Sequence, residues 1–252
     1  MAAETAVFLI AVGVVGGAWN AVAGGATLFT FPALMLTGLP PIVANATNYV
    51  AMLPSNAAAL PAFRTELRRI GRALVPLVVV TGGGATVGSL LLLWSEPDVF
   101  VALVPALLLV ATALFAFGER VRQWVLTRIS ADASRFVLFG VLFFASIYGG
   151  YFGAGLGIVL LALAQVMGFS DFHDANAIKN LLATSFTLLS IAIFGVGGLV
   201  AWPEALTMMA GSTLGGFLGG RLSKRVNQIL LHQLVILFGL ILTLVYAVRF
   251  WL

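Results

Sequence analysis

Two long uncharged stretches limit this chain more than any other feature. Residues 5–63 carry no charged side chain for 59 positions, and residues 136–170 carry none for 35. A helix that crosses a bilayer needs about 20 apolar residues, so neither stretch is one simple crossing. The whole chain is 61% hydrophobic and 9% charged, where a soluble domain is about 25% charged. Its outer surface therefore faces lipid, and the chain is read as an all-α integral membrane protein with one transmembrane domain over residues 1–252. With no cysteine, disulfides and thiolate metal sites drop out. Ala21-Val22-Ala23 resembles a leader cleavage site. Because no basic residue precedes it, the first apolar stretch is expected to belong to the mature protein.

Shorter uncharged runs of spanning character cover residues 73–94, 99–118, 180–203, 205–220 and 226–248. Eleven of the 13 Lys and Arg fall in three clusters: Arg64, Arg68, Arg69 and Arg72; Arg120, Arg122, Arg128 and Arg135; and Arg221, Lys224 and Arg225. That placement is the one expected of cytoplasmic membrane loops and implies no nucleic-acid partner. Residues 95–98 and 197–204 carry acids and no base, which puts them outside the cell membrane. The second and third basic loops then lie on one side only if residues 136–170 make no net crossing. Thirty-five residues reach about 52 Å as helix, short of two full spans of about 30 Å each with a turn. A re-entrant pair of broken helices is expected there. Both termini are expected outside an inner membrane.

The chain also repeats itself. Gly16-Gly17 leads to Ala44-Asn45-Ala46-Thr47-Asn48, and Gly149-Gly150 leads to Ala175-Asn176-Ala177-Ile178-Lys179-Asn180. Gly84–Gly88 matches Gly211–Gly215, and the offsets of 133, 131 and 127 residues are near half the chain. The matched loops carry opposite charge. Two inverted repeats follow, about 5–118 and 136–252, of about four hydrophobic segments each. Each begins with a broken or re-entrant hairpin, the plan of secondary transporters with a midplane site.

Candidate binding residues sit at the breaks. Gly24-Gly25 and Gly153–Gly157, with Gly153 and Gly155 foremost, could open half-helices whose free N–H groups attract an anion. The same glycines could instead serve close helix packing, the preferred reading for Gly84, Gly88, Gly211 and Gly215. Asn45 with Asn48, and Asn176 with Asn180, each share one helix face, suited to a polar solute or to cross-linking helices. Lys179 is the one base outside the loops and the extreme C-terminus. Placed at the head of an apolar run, it is either an anion ligand or an interfacial cation paired with Asp171 or Asp174. Asn20, Thr47, Ser55 and Asn56 are weaker candidates. His173 is expected in an interfacial turn and His232 near the interface, so no metal, cofactor or catalytic residue is assigned.

The ordered set Gly16-Gly17, Ala23-Gly24-Gly25-Ala26, Phe31-Pro32-Ala33-Leu34, Ala44–Thr47, Ala175–Asn180 and Gly211–Arg221 resembles the sulfite exporter TauE/SafE family of permeases. Asn45-Ala46-Thr47 departs from the Gly-Thr-Ser-like segment common there. The resemblance implies a permease for a small sulfur-containing anion, sulfite or an organosulfonate, working by alternating access. A channel or a non-transporting assembly subunit stays open at this level, as does a homodimer.

Overall fold

The computed structural model describes residues 1–22, 25–57, 60–128, 135–169, 171–222 and 228–251, and every regular element among them is a helix. The first uncharged stretch resolves into α1 (Ala3–Val22), the ten-residue α2 (Thr27–Leu36) and α3 (Pro41–Ala57). After the short α4 (Arg64–Ile70) come α5 (Leu74–Leu93), α6 (Pro97–Ala116) and the polar α7 (Gly118–Arg128). The second stretch becomes α8 (Arg135–Tyr151) and the eleven-residue α9 (Leu156–Val166). The chain then continues through α10 (Phe172–Val196), α11 (Trp202–Leu222) and α12 (Gln228–Trp251). Among the described residues, four helical stretches are long and apolar enough to cross a bilayer: Ala3–Asn20, Arg64–Leu93, Pro97–Ala116 and His173–Val196. At about 1.5 Å per residue, α2 and α9 reach only about half the apolar thickness. The expected break at Gly24-Gly25 falls partly outside the described residues, as do Lys224 and Arg225 of the third basic loop.

Pro32 lies inside α2. In so short a helix it removes one backbone bond and leaves the rest intact. The helix expected from Asn180 begins at Phe172, because Asp171 caps it by accepting the His173 and Asp174 N–H groups at 2.9 and 3.1 Å. His173 is therefore in a first helical turn, not a loop. For the same reason Lys179 lies two turns into α10 instead of at the head of a span.

Small residues set how the helices meet. A Cβ on Gly13 would strike Met208 O and one on Gly17 would strike Ser212 O, so α1 and α11 run the same way in close contact. Gly84 and Gly88 on α5 meet Phe143 and Ile147 on α8 in the same manner, again with both helices running the same way. By contrast α6 and α12 oppose each other: Gly239 sits beside Thr112, and the Trp251 Nε1–H donates to Ala102 O at 2.8 Å. The packing reading for Gly84, Gly88, Gly211 and Gly215 matches this geometry. A helix of the first half thus packs on one of the second at each of these contacts.

Candidate functional site: a cavity between two helix breaks

The glycines at the breaks make the turns possible. Gly153 and Gly155 hold φ of +73° and +79°, a region that costs a residue with a Cβ roughly 1–2 kcal/mol. Gly155 caps α9 in that conformation, and Gly25, with φ +77°, precedes α2. Each break ends one helix and starts another nearby. The last carbonyls of α8 are taken by side chains from elsewhere. Tyr49 O–H donates to Gly149 O, Ser89 O–H to Gly150 O at 3.3 Å, and Asn45 Nδ2–H to Tyr151 O at 2.9 Å. Groups on α3 and α5 therefore satisfy a helix end that would otherwise leave orphan acceptors.

Between the two breaks lies a cavity of about 500 Å³. It takes in Gly25, Gly153 and Gly155 from the breaks, Asn48 from α3, and Lys179 and Asn180 from α10. Asn20 and Ser55, joined by a 2.9 Å hydrogen bond, also line it. Of the other sequence candidates, Asn45 is buried against Tyr151 O and Asn176 lies outside the lining. Thr47 accepts the Ala201 N–H at 3.0 Å. Gly24 and the side chain of Asn56 lie outside the described residues. Residue-type reasoning overlooked Thr27, Tyr49, Met52, Phe152 and Phe186, all in the wall. A signal for one of them was present: Met52 falls between the candidates Asn48 and Ser55 at i, i+4, i+7, one helix face.

The wall draws on α3 and α10 at positions that share one sequence offset. On α3 it uses Asn48, Tyr49, Met52 and Ser55, and on α10 Lys179, Asn180, Ala183 and Phe186, each displaced by 131 residues from its α3 counterpart, with Thr187 beside them. The chemistry at these positions differs. Asn48 Oδ1 accepts from Thr30 O–H at 2.7 Å, and its Nδ2–H reaches Thr27 Oγ1 at 3.4 Å. Lys179, its counterpart, lies along Gly157, which has no side chain to meet it. Among the described residues lining the cavity Lys179 is the one charged group, and no carboxylate is near enough to pair with it. Asp174, one of the two acids expected to neutralise it, is instead held by Arg69 at 2.6 Å. Asp171 is engaged with backbone N–H groups of its own helix.

A many-helix membrane protein with an interior, cation-bearing cavity at paired helix breaks has the build of a membrane transporter. Comparison with known proteins agrees. Residues 9–246 match the family model described as sulfite exporter TauE/SafE. A "probable membrane transporter protein" of Haemophilus influenzae is 32% identical over 93% of this chain and 91% of its own length. The Escherichia coli K12 "probable membrane transporter protein YfcA" is 28% identical over 93% and 87%, respectively. A "probable membrane transporter protein ORF9" of Sinorhizobium sp is 25% identical over 97% and 95%. No solved structure matches the chain significantly. The chain belongs to the sulfite exporter TauE/SafE family.

Proposed function

We propose that this protein is a secondary transporter that carries a small sulfur-containing anion, sulfite or an organosulfonate, by alternating access between two inverted repeats. The observation that carries the reading is Lys179: among the described residues lining the cavity there is no acid and the single charge is a cation, which suits an anion. An ionisable group facing the interior of a membrane protein costs stability and is typically functional. Asn180, Asn48 and Thr27 add hydrogen-bonding groups around it, and the α2 and α9 N-termini add positive helix-end potential. The opposed directions of α6 and α12, with α1 running beside α11 and α5 beside α8, support repeats of opposite sense. Sulfur enters from the family's name; the cavity supports only an anion.

The test is reconstitution in vesicles, with counterflow of labelled sulfite and of an organosulfonate. Counterflow separates a carrier from a channel. Losing a hydrogen bond to a charged group costs about 1.5–3 kcal/mol, so Lys179→Gln should weaken apparent substrate affinity roughly tenfold to a hundredfold. Lys179→Arg should retain part of it. Unchanged affinity in folded Lys179→Gln would defeat the assignment.

A further inference from the structure

A second recess lies away from the cavity, on α4 between α3 and α5. It is lined by Leu60, Pro61, Arg64, Leu67 and Arg68, and it measures about 510 Å³. We propose that this groove is a binding site for an anionic phospholipid, with the headgroup phosphate on Arg64 and Arg68 and an acyl chain along Leu60, Pro61 and Leu67.

Helix α4 divides its side chains between two faces. At about 100° per residue, Arg64, Leu67 and Arg68 fall on one face, and Glu66 and Arg69 on the other. The inner face is committed: Arg69 pairs with Asp174 of α10 at 2.6 Å, and one carboxylate oxygen of Glu66 is buried. The outer face is not. Arg64 and Arg68 are exposed, and among the described residues neither makes an ion pair. Their i, i+4 spacing places both guanidinium groups within reach of one phosphate. A free anion would need only the two arginines. The apolar floor between them calls for a ligand with a hydrocarbon part. Lipid is the solvent for this protein, and α4 leads directly into the apolar helix α5. An arginine pair at that junction is complementary to an anionic leaflet.

The experiment uses the full chain purified in neutral detergent. Native mass spectrometry and thermal unfolding would be followed during titration with phosphatidylglycerol, phosphatidylcholine or inorganic phosphate. Phosphatidylglycerol should bind and raise the melting temperature. Phosphatidylcholine and inorganic phosphate should not reproduce the effect. In Arg64→Gln/Arg68→Gln the affinity for phosphatidylglycerol should fall about tenfold or more, while Arg120→Gln should leave it unchanged. If the double variant does not fold, Arg64→Lys/Arg68→Lys serves instead; it should bind measurably more weakly, because lysine lacks the planar fork. Equal stabilisation by phosphatidylcholine would overturn the charge argument, and equal stabilisation by phosphate would overturn the lipid. Wild-type affinity in a folded double-glutamine variant, or in the double-lysine one used in its place, would overturn the site.

Discussion

Two adjacent glycines on α11 should respond oppositely to alanine. Gly215 faces α1 so closely that an added Cβ would lie 2.6 Å from the carbonyl carbon and 2.7 Å from the Cα of Val14, with the Val14 oxygen nearer still. All three are backbone atoms, so no rotamer change relieves the clash. To reach an ordinary contact of 3.4 Å from the carbonyl carbon alone, α1 and α11 must part by about 0.8 Å, and the nearer oxygen demands more. A gap of that size forfeits roughly a quarter to a half of the dispersion energy of the facing atoms. Overpacking of a core costs about 1–3 kcal/mol, and an interface running from Gly13 to Gly17 belongs at the upper end. At Gly216, one residue on, the nearest atom to an added Cβ is Gly17 O at 3.8 Å. Alanine there meets only van der Waals contact and gains up to about 1 kcal/mol of helix propensity. Thermal unfolding in detergent should therefore show Gly215→Ala clearly destabilised and Gly216→Ala equal to or above wild type. Similar melting temperatures for the two variants would refute the close-approach account of α1 against α11.

Gly153→Ala should lose transport by damaging the second break, since its Cβ would meet both Gly149 O and Tyr49 Oη at 2.9 Å in a left-handed conformation. Counterflow should fall while membrane insertion of the protein stays normal, and wild-type counterflow would remove Gly153 from the site. Asp171 should give a pH signature. The Asp174 N–H, and then the His173 N–H, hold its carboxyl below the usual range. Its cap is thus fully present above about pH 4 and is lost as pH falls through the depressed value. Asp171→Asn, which caps without titrating, should show a smaller drop in melting temperature below pH 4 than wild type. Parallel curves for the two proteins would sink the capping argument.

The parts of this architecture that hydropathy governs were legible in the chain. Uncharged runs near residues 73–94 and 99–118 correspond to α5 and α6 within a few residues, because lipid exposure leaves little choice of side chain along a span. The glycine pairs pointed to the breaks, because few other residues hold a positive φ there at low cost. The start of α10 was hidden. A cap such as Asp171 lets a helix carry His173, Asp174 and Lys179 in its opening turns, so counting uncharged residues starts it too late. The asparagine pairs illustrate another limit. Spacing correctly places Asn45 on the same side of α3 as Asn48 and Tyr49, but it says nothing about how far along the helix a cavity extends. Asn45 lies one turn before Tyr49 and meets the Tyr151 carbonyl instead of open space. The apolar part of the wall had no polar signal at all, since Phe152 and Phe186 look like any other core aromatics.

The proposed repeat also accounts for a single cation in the cavity. Four wall positions on α3 and α10 share one 131-residue offset, so two equivalent ligands would be expected from the proposed duplication. The first half has instead bound its own group: Asn48 is tied to Thr27 and Thr30, and no charge needs compensating when the cavity is empty. In the second half, Lys179 lies along Gly157, which carries no side chain to accept from it. Among the described residues Lys179 makes no ion pair. A symmetric pair of lysines facing one cavity would repel each other and add a second desolvation cost, several kcal/mol per buried ion. Two amides would leave no net charge to draw an anion from water. Under the proposed function, one half neutral and the other charged would attract an anion while placing one buried charge in the bilayer.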